Sequence, residues 1–198
     1  MPDYDSFIES CFPHISSYNI KSPIDYKYNC IAFAANDTTK WWWPKAPYYW
    51  PPDVPEKEDL ASFIACYESL GYVVCGLNSK YKKCYEKVAL FVDSYGNPTH
   101  AAKQDAENKG IWKSKLGKYK DIEHTLKDIS GTYNQYSYGN VAIILKRKVK
   151  RVFKINRPSF LKNWKQSFPK KKGNLLRMVI SINNGIHNQV RLPAGIVS

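Results

Sequence analysis

Cys30 and His100 carry the chemistry of nucleophilic catalysis, in an order that such chemistry can use. Cys30 opens a short apolar run, Cys30-Ile31-Ala32-Phe33-Ala34-Ala35, directly after Asn29, a good helix N-cap. A cysteine in the first turn of a helix sits among free amide N–H groups and near the positive end of the helix dipole, which favours a thiolate. His100 follows a turn signal, Ser94-Tyr95-Gly96-Asn97, at the start of an expected strand. An imidazole with an unperturbed pKa of about 6.5 can take the thiol proton and later return it to a leaving group. Cys30 is therefore the candidate nucleophile and His100 the candidate base and acid. The Cys30 backbone N–H, with Tyr28 or Asn29 as a second donor, would face the oxyanion of a tetrahedral intermediate. A third group must orient the ring, and His124, Ser114 and Asp121 are the candidates, in that order. Free cysteine is also among the most buried residue types, so packing is the competing role for Cys30.

Around this pair, Trp41-Trp42-Trp43-Pro44 offers rings for one wall of a substrate cleft, with core packing as the alternative. Asn29 and Lys115 are further substrate-binding candidates, Lys115 through an anionic group. His14 and His187 have no neighbouring ligand types in the sequence, and no H-E-x-x-H, P-loop or G-x-G-x-x-G occurs. No metal site and no cofactor is expected.

The elements that must position these residues follow from periodicity. Residues 4–12 have helical spacing, ended by Pro13, and 29–36 form the Cys30 helix. The proline-rich aromatic stretch from Trp41 to Pro52 wraps across the body without regular structure. Leu60, Phe63, Ile64 and Tyr67 mark an amphipathic helix from Glu56 to Leu70, stopped by Gly71. Strands are expected at 72–75, 88–92, 99–104, 111–116 and 140–145, with a helix over 121–129. Helices followed by an antiparallel meander imply an α+β class.

Composition and charge bound the rest. The chain has 198 residues, enough for one substantial core, and its 6 Trp and 15 Tyr argue against general disorder. No apolar run approaches the roughly 20 residues of a transmembrane helix, and the first residues lack a signal-peptide pattern, so a cytoplasmic protein is expected. The five cysteines have no C-x-x-C spacing, which speaks against a disulfide framework or zinc ribbon. All 17 acidic residues lie within 1–128, beside 16 Lys+Arg, whereas 129–198 hold 14 Lys+Arg and no acid. The division expected is a body over 1–148 and a basic extension over 149–198. Lys146, Arg147 and Lys148 at the end of the body and Lys150, Arg151, Lys170, Lys171 and Lys172 in the extension are the candidate contacts to nucleic acid or another polyanion.

Several words in fixed order carry a resemblance. They are Tyr-Asn-Cys-Ile-Ala at 28–32, Trp-Trp-Trp-Pro at 41–44, Phe63 to Gly71-Tyr72, Thr99-His100-Ala101-Ala102, Trp112 to Ser114-Lys115-Leu116-Gly117, Ile122 to His124, and Tyr138-Gly139. Over roughly 25–148 the chain resembles an uncharacterised bacterial domain family. The order of helix cysteine and strand histidine is also similar to the NlpC/P60 and CHAP branches of the papain-like superfamily. That likeness implies N-terminal helices on a central antiparallel sheet and a cysteine hydrolase or acyltransferase acting on an amide or thioester. The strand word of those families after the histidine is replaced here by Ala101-Ala102-Lys103-Gln104. The reading from another class is a non-enzymatic module that grips nucleic acid through its basic C-terminal region.

Overall fold

The computed structural model describes residues 5–107 and 110–149. In chain order the elements are α1 (Ser6–Cys11), β1 (Asn19–Ile20), α2 (Cys30–Ala34), α3 (Leu60–Ser69), β2 (Val73–Val74), β3 (Tyr85–Val92), β4 (Pro98–Gln104), β5 (Trp112–Lys115), β6 (Asp121–His124), α4 (Leu126–Ile129) and β7 (Asn140–Lys148). Seven strands form one sheet in the order β1-β6-β5-β4-β3-β7-β2, every pairing antiparallel. The fold is mixed α and β, with short helices around this sheet. The basic extension expected over 149–198 lies outside the described residues apart from Val149.

The helices begin where acceptor side chains satisfy their first N–H groups. Asp5 Oδ1 accepts from the amides of Phe7 and Ile8, Asn29 Oδ1 from that of Ala32, and Asp59 Oδ1 from that of Ser62. The Asp59 cap explains why α3 starts at Leu60 rather than at Glu56. Gly71, at φ +83°, follows its end.

The expected helix over 121–129 is corrected to β6 followed by α4, a single turn. Its first four residues pair with β5, Ser114 opposite Ile122 and Lys115 opposite Asp121, before a Thr125–Asp128 capping box opens the turn. Asp121-Ile122-Glu123-His124 alternates with period two, and the pairing partner decides the outcome.

Alternation along the strands divides the core between two faces. On one face Val88, Leu90, Ala101 and Leu145 pack against α2 and α3 through Ile31, Phe63 and Tyr67. On the other, Ala89, Phe91, Ala102, Trp112, Ile122 and Ile144 pack with Ile8 and Phe12 of the α1 region. The Val88-Ala89-Leu90-Phe91 run of β3 is fully buried on both faces, as an interior strand must be.

The sheet opens at one end of β4. Phe91 pairs with His100 and Val92 with Pro98, which leaves Thr99 as an extra, bulged residue. Pairing of β4 with β5 is confined to Lys103 with Lys113 and Gln104 with Trp112. Toward Thr99 the two strands therefore run without a ladder between them, and the N-terminus of α2 lies at this opening.

Candidate functional site

The Cys30 sulfur is positioned by its own helix and by β4. The backbone N–H groups of Ala101, Ile31 and Cys30 itself favour the thiolate. Ala101 follows His100 in the chain, so the thiol meets the backbone of the very strand that carries the histidine. The same site is deeply buried, and desolvation outweighs the three N–H groups, pushing the thiol up to about 11. Cys30 is thus a neutral thiol at neutral pH.

His100 is wholly buried. It shares a face with Phe91, whose ring meets it edge-on at 5.4 Å, and the Tyr138 ring stacks flat on it at 3.8 Å and 8°. Gly139 makes this stacking possible. A Cβ there would overlap the Val92 carbonyl, and the residue sits at φ +73°.

A row of hydrogen bonds crosses β4, β5 and β6 on this face. His100 Nε2 lies 2.8 Å from Ser114 Oγ, and His124 Nε2 lies 2.8 Å from the same oxygen. His124 Nδ1 lies 2.8 Å from the Thr125 carbonyl oxygen. The protons can be assigned from the far end inward. A carbonyl only accepts, so His124 donates from Nδ1 and keeps a lone pair on Nε2. Ser114 then donates its hydroxyl proton to His124 and accepts from His100 Nε2–H. This leaves His100 Nδ1 without a proton, and this buried nitrogen has no hydrogen-bond partner. Both rings are neutral. Desolvation holds His100 well below its ordinary value, with the charge of His124 a second cause, and desolvation lowers His124 to about 4.

Of the four catalytic candidates, the structure brings His100, Ser114 and His124 together. Cys30 is not hydrogen-bonded to His100; it faces the adjacent Ala101 amide. Tyr138 links the two, because its ring lies on His100 and it lines the Cys30 cleft. Asp121, the remaining orienting candidate, is bound elsewhere: its Oδ2 accepts from the Tyr28 hydroxyl at 2.8 Å.

The cleft over Cys30 has a volume of about 300 Å³ and is lined by Asn29, Trp41, Trp43, Tyr48, Thr99, Gly117 and Tyr138. Trp41 and Trp43 thus reach it. Trp42 turns into the core, where its indole N–H donates to Asp37 Oδ2 at 2.8 Å. Asn29 lines the cleft, but its amide is satisfied by the Trp42 backbone and the Ala32 N–H. Lys115 does not line the cleft and is fully buried. Its ammonium donates to the Tyr119 carbonyl, lies 3.9 Å from Asp121 Oδ1 and 4.9 Å from the Tyr28 ring centre. Sequence reasoning gave no role to Tyr138, Thr99, Tyr48 or Gly117, although the Tyr138-Gly139 word was present as a signal.

Among the basic candidates, Arg147 donates to the Leu70 carbonyl and pairs with Glu86 at 2.7 Å over the Tyr72 ring. Lys146 and Lys148 lie on β7 beside it. Lys150, Arg151, Lys170, Lys171 and Lys172 fall outside the described residues. Among the described residues no group of three or more His, Cys, Asp or Glu side chains is arranged to hold a metal ion, and no helix is long and apolar enough to cross a membrane.

Residues 19–146 match the family described as Domain of unknown function (DUF7689), and the chain belongs to that family. No curated protein and no solved structure matches the chain.

Proposed function

We propose that this DUF7689 protein is a cysteine-dependent acyl-transfer enzyme, a hydrolase or acyltransferase of papain-like arrangement that attacks an amide or thioester. Cys30 is the nucleophile and His100 the base. Ser114 and His124 are positioning residues that fix the histidine tautomer. The observation that carries this reading is the buried, unpartnered Nδ1 of His100, left without a proton by the Ser114–His124 row. An unsatisfied buried acceptor costs about 1–3 kcal/mol, and of the three acceptors in that state among the described residues, His100 Nδ1, Gln104 Oε1 and Asp121 Oδ1, the imidazole nitrogen is the one whose type suits exchange of a thiol proton.

The chemistry starts from neutral partners. When a carbonyl carbon enters the cleft, Cys30 Sγ bonds to it and the thiol proton goes to His100 Nδ1, a transfer that requires the imidazole to reach past Tyr138 at the open end of β4, because at rest it lies on the sheet face opposite α2. The imidazolium is relieved by the Ser114 hydroxyl and by His124, and it then protonates the leaving group. The amides at the start of α2 are the donors available to the oxyanion. Because both groups rest uncharged, the reaction depends on general-base transfer rather than on a preformed thiolate.

The test is the rate of Cys30 alkylation by iodoacetamide at pH 7.5, followed by peptide mapping. We expect His100→Ala to slow it by 10²-fold or more relative to the wild type, within the range general-base catalysis supplies. Equal rates in the two folded proteins would overturn the pairing. The nucleic-acid reading rests on the charge of the sequence beyond Lys146. Within the described residues Arg147, the innermost guanidinium of that run, is engaged by Glu86.

A further inference from the structure

Tyr138 stands between the two groups that the cysteine chemistry must bring together. Its ring lies flat on the buried His100 imidazole at 3.8 Å and 8°, and it also lines the cleft over Cys30. His100 shares the Phe91 face of the sheet, whereas Cys30 packs on the α2 face. The open end of β4 is where they can meet. Thr99, the bulged residue at that end, donates its hydroxyl proton to the Tyr138 carbonyl.

The main chain there is pinned and the side chain is not. Gly139 exchanges two backbone hydrogen bonds with Gly131, at 2.7 and 3.1 Å, and lies hard against the Val92 carbonyl. The Tyr138 hydroxyl, by contrast, has no hydrogen-bond partner among the described residues. Contact alone retains the ring, with His100 on its flat face and Phe12 tilted at 5.3 Å. A change of rotamer therefore breaks no hydrogen bond. Tyr138 also lines a cavity of about 360 Å³ with Phe7, Cys11, Phe12 and Leu116, which gives a turned ring space to enter.

The imidazole beneath that ring holds one hydrogen bond, from Nε2 to Ser114, and a free lone pair on Nδ1. A stacked pair is held by dispersion and weak electrostatics, which a bound molecule can replace. An occupant of the cleft that fills the space the ring vacates binds the turned state better, and so shifts the population toward it. From the stack, the unbonded hydroxyl and the adjoining cavity, we infer that Tyr138 is a positioning residue whose ring holds the His100 imidazole away from Cys30 at rest and turns aside when the cleft is filled. This inference rests on the Cys30–His100 pairing proposed above. The resting thiol is then slow, and filling the cleft completes the pair.

The experiment follows Cys30 alkylation by iodoacetamide in the full chain at pH 7.5, with peptide mapping. Tyr138→Leu keeps an apolar side chain but loses the flat stack. We expect it to react about tenfold or more faster than wild type, since a competent state populated at about a tenth or less becomes the resting one. Tyr138→Phe keeps the stack and should restore the slow rate, and adding His100→Ala to Tyr138→Leu should abolish the gain. A Tyr138→Leu rate no faster than wild type would overturn the positioning role and leave the cysteine–histidine pairing standing. A gain that survives His100→Ala would also overturn it, because the ring would then be a plain shield over the thiol. Equal rates in wild type and His100→Ala would overturn the pairing and this inference with it. If Tyr138→Leu does not fold, carbon-13 relaxation dispersion at His100 Cε1 in the wild type decides. Exchange on the microsecond to millisecond scale is expected, and a flat profile would overturn the inference.

Discussion

Strands β5 and β6 carry two buried polar clusters, one on each face, and they differ in a way that separates structure from chemistry. On the α2 side Lys115, Asp121, Tyr28 and the Tyr119 carbonyl form a charged cluster. Its carboxylate meets a phenol and an ammonium, and although Asp121 Oδ1 accepts no hydrogen bond, the Lys115 ammonium stands 3.9 Å away. On the other face His100, Ser114, His124 and the Thr125 carbonyl form a neutral row. That row is saturated at one end and open at the other, where His100 Nδ1 has no partner. A closed ionic cluster holds two strands and a loop in place. A neutral chain with a proton at every link and a lone pair at its end can do chemistry.

The largest expected effect breaks the ionic side of this comparison. Asp121→Ala strands the buried Lys115 ammonium, and breaking such a pair typically costs about 3–5 kcal/mol. Urea denaturation should show that loss, while Cys30 alkylation per folded molecule stays close to wild type. A folded Asp121→Ala protein with a silent Cys30 would place the ionic cluster in the reactive machinery and erase the distinction.

A smaller effect is expected from Ser114→Ala, which leaves two imidazole nitrogens unpaired in a buried site, for a loss of about 1–3 kcal/mol. Its diagnostic consequence is in the tautomers. Nitrogen-15 NMR of wild type should show His124 protonated on Nδ1 and His100 on Nε2. In Ser114→Ala the His100 signal should no longer report a single tautomer, and Ser114→Thr should restore it. A wild-type His100 protonated on Nδ1 would remove the base from the site.

The third prediction is the most gradual and concerns acid. His100 and His124 are both held below their unfolded pKa of about 6.5. Between 6.5 and about 4 the unfolded chain binds protons that the native His124 refuses, so stability falls as pH falls, by up to about 1.4 kcal/mol per pH unit for each ring. Above 6.5 neither group contributes to the slope. Chemical denaturation at pH 7, 6 and 5 should show this decline, and His124→Gln should make it shallower. A flat profile would mean that the histidine row is solvated rather than sealed.

Much of this was legible along the chain because it depends on near neighbours. Asn29 before Cys30 predicts the cap, and the structure has it, with Asn29 Oδ1 accepting from the Ala32 amide. Val88 to Val92 reads as an interior strand because an apolar run with no polar alternation must be buried on both sides, and β3 is. Cys30 and His100 were singled out by residue type and context alone. By contrast, the local pattern over 121–129 predicts one helix, since nothing local says that Asp121 to His124 will find β5. The sequence predicts Lys115 as a contact to an anionic group of a substrate, whereas its cross-strand neighbour Asp121, the Tyr119 carbonyl and the Tyr28 ring make its complete burial tolerable.

The amino-acid sequence by itself determined the membership in the family, the helix that presents Cys30, the antiparallel strands and the basic bias after residue 128. Each of these is a property of spacing, propensity or composition, and none requires a distant partner. Tertiary structure alone decided which nitrogen of His100 is free. That choice starts at the Thr125 carbonyl and passes through His124 and Ser114 on separate strands before it reaches His100 on a third. It also decided that Tyr138 should cover the imidazole, through a glycine that lets the chain press against Val92. Proton positions and ring contacts of this kind depend on groups brought together only by the folded sheet.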